Sequence, residues 1–221
     1  MRNMSDDHTH VQEFFTPRAA DWDSRFPDDG PAYAAAVAEL GLREGDRVLD
    51  AGCGTGRALP PLRGAVGGSG VVVGADLTPA MLEAAVRAGR DRDGWLLLAD
   101  VSALPLRSGS LDAVFAAGLV AHLSDPARDL RELARVVRPG GVLALFHPIG
   151  RAALAARPGP RDHPRRPARR AEPAGAADGF GVAHDVVRRR GRPVPRTGRA
   201  RELRFTRLRR PPARRRRGGR T

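Results

Sequence analysis

In residues 48–56, VLDAGCGTG, an apolar run ends in the carboxylate Asp50 and is followed by Gly52, Gly54 and Gly56 at alternate positions. Without Cβ atoms, nothing stands between this backbone and a ligand, and each glycine can take the left-handed conformations that other residues avoid. Such a loop directly behind a buried strand suits the strand-to-helix turn of an open α/β sheet. In those sheets ligands bind beyond the carboxyl ends of the strands, where the strand order reverses.

The rest of the first 150 residues fits that frame. Short, nearly continuous apolar runs at 47–51, 71–76, 95–100, 111–117 and 141–147 predict strands buried on both faces, the mark of a parallel sheet. Helical segments separate most of them. PAYAAAVAELGL precedes the first strand, and the N-cap and first-turn pair Thr78-Pro79 opens AMLEAAVRAG. Pro126 starts a helix with the apolar stripe Leu130, Leu133, Ala134 and Val137, and Pro139-Gly140-Gly141 stops it. Pro60 and Pro61 fall where the helix after the glycine loop should begin, so that helix starts late or is kinked. The alternation predicts a doubly wound, mostly parallel α/β sheet over residues 31–150, preceded by a helical lid segment at 1–30 and followed by a tail at 151–221.

Charge separates the same parts. The net charge is +13, but residues 1–150 carry 15 Arg against 20 Asp and Glu, while residues 151–221 carry 23 Arg against five acids. The body is acidic and only the tail is basic. All 38 basic residues are Arg, which reflects a GC-rich coding sequence rather than a functional choice. An Arg-rich arm binding nucleic acid on an α/β scaffold is the alternative function, disfavoured because only Phe180 and Phe205 in the tail could stack on bases. No run of about 18 apolar residues exists, the N-terminus lacks the order of a signal peptide, and Cys53 has no partner for an internal disulfide. These features predict a cytoplasmic protein with no membrane contact.

The loop spacing then separates two kinds of ligand. A dinucleotide fold needs G-x-G-x-x-G with a helix N-terminus aimed at pyrophosphate, whereas Asp50 two residues before the first glycine repels phosphate and suits a cationic or ammonium-bearing ligand. At these residues the chain closely resembles the class I S-adenosylmethionine-dependent methyltransferases, in the small-molecule branch that includes the menaquinone methyltransferases. The resemblance runs from about residue 48 to 146. It implies that Asp50, Gly52, Cys53, Gly54 and Gly56 form the cofactor loop, and that Asp76, beside Leu77, takes the ribose hydroxyls. It further implies that Asp100 and the backbone N–H of Val101 meet the adenine, and it puts Gly118 in the SGSLDAVFAAGLVAHLSDP region of the cofactor site.

The cofactor this implies, S-adenosylmethionine, carries its methyl on a positive sulfur, so transfer is a direct displacement in which the protein mainly aligns the reactants and excludes water. A base is needed only for a protonated acceptor, and His122 is the candidate for that base or for a substrate contact. Phe15 and Trp22 are expected near a small-molecule acceptor, in a chain whose aromatic content is only 5%. Cys53 is expected to pack rather than react. His8 and His10 are read as part of an unordered terminus and, lacking a third ligand, as no metal site.

The family sheet normally ends with a sixth and a seventh strand, the latter antiparallel, and nothing after residue 150 reads as either. Composition changes abruptly near residue 157 to Arg, Pro, Ala and Gly, as a GC-rich gene read out of frame would give. A reading-frame slip would leave the sheet without its last two strands, the fifth strand's edge uncovered, and the chain inactive.

Overall fold

The computed structural model describes residues 4–148 and 184–188. Five parallel strands, β1 (Arg47–Ala51), β2 (Val71–Asp76), β3 (Trp95–Leu98), β4 (Leu111–Ala117) and β5 (Val137–Phe146), form the sheet. A sixth, β6 (His184–Arg188), joins β5 antiparallel, giving the order β3-β2-β1-β4-β5-β6. The chain winds outward from β1 to β3 and then crosses back to β4. The order therefore reverses between β1 and β4, and a crevice opens at their carboxyl ends.

Neighbouring strand residues face opposite sides, which explains the continuous apolar runs. On one face Val48 and Phe115 pack with Val37 of α3 (Gly30–Glu39), Leu62 of α4 (Leu59–Val66) and Leu82 of α5 (Pro79–Arg87). On the other, Leu49, Val73 and Val114 pack with Leu133 and Val136 of α6 (Pro126–Val136). Phe115, Leu49, Leu62 and Leu133 are fully buried, and each contributes roughly 1.5–3 kcal/mol. That packing holds the strand ends, and hence the site, in register.

Proline chemistry sets the helix ends. α4 starts late, with its prolines in the first turn, where the missing N–H costs nothing. Asp125 caps α6 by accepting the Arg128 N–H at 3.1 Å. α6 ends at Val136, so Val137, expected in its stripe, belongs to β5 with φ −75° and ψ 131°. Pro139 drives the residue before it out of helical conformation, and the chain turns extended just ahead of it. Thr78 occupies the N-cap of α5, but its side chain makes no capping hydrogen bond.

Two expectations are corrected here. Residues after 150 do supply a strand: β6 pairs Val142↔Arg188 through Phe146↔His184, so the edge of β5 is covered. The sheet has six strands among the described residues. The proposed frame slip near residue 157 lies outside the described residues. Likewise, His8 and His10 sit in α1 (Met4–Phe15) instead of an unordered terminus. Among the described residues no helix is long and apolar enough to cross a membrane, and no cluster of His, Cys, Asp or Glu could hold a metal ion.

Candidate cofactor and acceptor site

The glycine loop is stitched to β2 before it reaches the crevice. The N–H groups of Gly52 and Cys53 both donate to the Ala75 carbonyl, at 2.8 and 3.0 Å. The loop then bends through φ values of +68° at Gly52, +54° at Gly54 and +80° at Gly56, a sequence that only glycine adopts without strain. A Cβ on Gly54 would meet no atom within 4 Å. Its bare face instead opens into a cavity of about 310 Å³ over the ends of β1, β2 and β4. Gly56 does not reach the cavity; a Cβ there would strike Leu59 at 2.9 Å, so it serves the packing of α4.

Asp76 ends β2 at the cavity wall. Its Oδ2 accepts the Gly54 N–H and its Oδ1 the Thr78 N–H, both at 2.8 Å. Each oxygen keeps a lone pair for a further donor, a geometry that fits two neighbouring ribose hydroxyls. Burial raises the pKa of this carboxyl, and the backbone hydrogen bonds oppose that shift. Asp50 lies behind the wall and does not line the cavity. It is 1% exposed, its Oδ1 has no hydrogen-bond partner, and burial followed by the charge of Asp76 pushes its pKa up to about 8.

Asp100 accepts the Ser102 N–H on Oδ1 at 2.8 Å, and its Oδ2 meets the Ser102 hydroxyl and Nε2 of His8, the latter at 2.7 Å. Val101, Leu77 and Gly118 complete this side of the wall. Cys53 also lines it, 8% exposed, with a thiol pKa well above the ordinary value through burial first and then the charges of Asp50 and Asp76. A thiol held protonated is a poor nucleophile.

Across the cavity stands an aromatic group. Phe15 lies edge-on to His122 with ring centres 4.9 Å apart and to Trp22 at 5.5 Å, and Trp22 continues to Phe26 at 5.2 Å. His122 ends a short turn after β4, and α1 is held over the cavity by Gln12, which donates to the Leu77 carbonyl at 2.9 Å. Of the residues singled out in the sequence, all but Asp50 and Gly56 line this one cavity. Its wall also includes His8, Tyr33, Arg57, Arg128, Asp129 and His147, which the sequence reading did not select. Arg57 follows Gly56 directly and was within reach of the motif. His8 was set aside with His10 as part of an unordered terminus, and His147 lies far from the motif in sequence and carried no signal.

Residues 49–145 match the family described as "Methyltransferase domain". The chain is 38% identical over 110 residues to 27-O-demethylrifamycin SV methyltransferase of Amycolatopsis mediterranei, covering 48% of this chain and 40% of that protein. It is 41% identical over 106 residues to a demethylmenaquinone methyltransferase of Corynebacterium urealyticum, covering 48% and 43%. It therefore spans less than half the length of both relatives. A methyltransferase of Haloferax volcanii, solved in complex with a methyltransferase activator, superposes with a TM-score of 0.56 at 32% identity, covering 62% of this chain and 60% of that one.

Proposed function

We propose that the chain transfers the sulfonium methyl of S-adenosylmethionine to a hydroxyl of a small, flat, aromatic or quinol-like acceptor. The observation that carries this reading is one cavity with a bare glycine cradle and a two-oxygen acceptor on one wall, and Phe15, Trp22 and His122 on the other. When bound, the cofactor supplies a methyl on a positively charged sulfur.

Gly54 and Asp76 hold the nucleoside, with Asp76 accepting from the ribose. Asp100 and Val101 take the adenine edge, which requires His8 to share or vacate Oδ2 of Asp100. Phe15 and Trp22 would exclude water and stack the acceptor ring, which fixes the orientation of its hydroxyl within the cavity. His122 takes the hydroxyl proton as the carbon–oxygen bond forms. A relative named for a 27-O-demethyl substrate supports an oxygen acceptor, and one named for demethylmenaquinone supports a quinone-like ring.

Transfer of labelled methyl to a panel of catechols, naphthols and quinols, set beside aliphatic amines, tests the reading. Labelled aryl ethers that disappear with His122→Ala support it. Label on amines alone would overturn the acceptor class.

A further inference from the structure

The N-terminal segment and the glycine loop meet at one carboxylate, Asp23 of α2 (Trp22–Arg25). Its Oδ1 accepts the Thr55 hydroxyl at 2.6 Å and its Oδ2 pairs with Nη1 of Arg90 at 2.7 Å. Nη1 of Arg90 also donates to the Thr55 carbonyl at 2.7 Å, closing a ring of three residues. Arg57 adds a second link: its Nε stands 3.8 Å from Oδ1 of Asp23, and its Nη1 and Nη2 donate to Asp29, at 3.3 Å, and to the Phe26 carbonyl. Thr55 lies between Gly54 and Gly56 and is 3% exposed, so Asp23 is tied to the part of the loop that forms the cradle.

Asp23 does not line the cavity, but the residue before it does. Trp22 stands in the acceptor wall with its ring against Phe15 and Phe26. Isolated surface ion pairs contribute little, but one carboxylate shared by a hydroxyl and two guanidiniums has few alternative geometries. A shift of the loop backbone is therefore passed to Trp22, and the reverse holds by linkage.

We propose that Asp23 is a positioning residue that couples the cofactor cradle to the acceptor wall, so that filling the cradle sets Trp22 for the acceptor and cofactor binds first. This rests on the reading that the cradle takes S-adenosylmethionine. The role of Asp23 is to transmit a position, with no contact to either reactant.

Trp22 and Trp95 are the two tryptophans of the chain, so Trp95→Phe leaves Trp22 as the only reporter. On that background, S-adenosylhomocysteine is titrated while calorimetry and Trp22 emission are followed together. The expected result is an emission change that saturates with binding. In Asp23→Ala, calorimetry gives a dissociation constant within about threefold of the parent, because no cofactor contact is lost, while the emission change disappears. Arg90→Met, which removes the guanidinium that ties Oδ2 of Asp23 to the Thr55 carbonyl and lies outside the cavity wall, reproduces that loss should Asp23→Ala fail to fold. Equal emission changes in parent and variants, with binding intact in all, would overturn the coupling and leave the cofactor reading standing. Absence of binding in the folded parent would overturn both.

Discussion

Buried aspartates stand at both ends of the sheet, and the two ends treat them differently. At the amino ends of the strands Asp112, 5% exposed, accepts the Arg47 N–H at 2.8 Å and Nε of Arg138 at 2.7 Å, and Arg47 adds an ion pair at 3.5 Å. At the carboxyl ends Asp50 and Asp76 make no ion pair with a guanidinium among the described residues, and the pKa of each is raised. A buried carboxylate without a counter-ion is expensive, and a fold keeps one where something else supplies the charge or the donors. The amino end spends its acids on structure. The carboxyl end leaves Asp76 facing the cavity and Asp50 buried behind its wall, neither with a counter-ion among the described residues.

The largest expected effect separates the two ends directly. Asp76→Ala removes two charge-assisted acceptor positions, each worth roughly 1.5–3 kcal/mol, and should weaken cofactor binding on the order of 100-fold or more by calorimetry. Stability should show little net change, because relief of the unpaired buried carboxylate offsets the lost Gly54 and Thr78 hydrogen bonds. Asp112→Ala should do the opposite. Leaving the Arg47 N–H and the Arg138 guanidinium without their acceptor costs about 2–4 kcal/mol of unfolding free energy in urea, with cofactor affinity unchanged. Two variants that lose the same property would erase the distinction between the ends.

Much of this contrast was legible in the sequence at the carboxyl end and little of it at the other. The acids Asp50, Asp76 and Asp100 each follow an apolar run, and the glycine spacing marks the loop, so local pattern sufficed. Asp112 sits inside the apolar run LDAVFAA and gave no sign of its two arginines, because Arg47 and Arg138 reach it only through the pairing of β4 with β1 and β5. The same limit hid Asp23, whose partner Thr55 is 32 positions away, and β6, whose five residues HDVVR lie in an Arg-rich stretch without alternation. Asp50 was read as a direct cofactor contact. Its place is behind the wall: it lies within β1, opposite Gly74 of β2 and Phe115 of β4, where it is 1% exposed and does not reach the cavity.

An intermediate effect should appear in pH dependence. In the ligand-free fold Asp50 keeps its proton up to about pH 8, whereas in the unfolded chain it releases it near the ordinary carboxyl value of 3.8. Between those values the unfolded chain binds fewer protons, so stability falls as pH rises, by up to about 1.4 kcal/mol per unit. A cationic cofactor favours the ionised form, so binding releases a proton and affinity rises by up to about tenfold per unit below pH 8. Asp50→Asn should flatten both slopes and raise the thermal midpoint of the ligand-free protein near neutrality. Slopes that survive in the variant would assign the titration to another group and weaken the contrast with Asp112.

The smallest effect is expected at Cys53, which reports on the same acidic end. Its thiol is held protonated by burial and then by the charges of Asp50 and Asp76, and a Cβ on Gly74 would come within 3.0 Å of its sulfur. Alkylation by iodoacetamide at neutral pH should therefore run at least about tenfold more slowly than for a free thiol. Cys53→Ala should cost only about 1 kcal/mol of stability, the loss of one small buried group, and leave methyl transfer nearly unchanged. Asp50 keeps its proton up to about pH 8, so Asp50→Asn should leave alkylation at neutral pH nearly unchanged and, above pH 8, slow the rise in rate less than the parent carboxylate does. Asp112→Ala, at the far end of the strands, should leave the alkylation rate of the folded protein where it was. Fast alkylation in the parent protein would show the loop to be open and wet, and the unpaired acids beside it would then need no ligand to balance them.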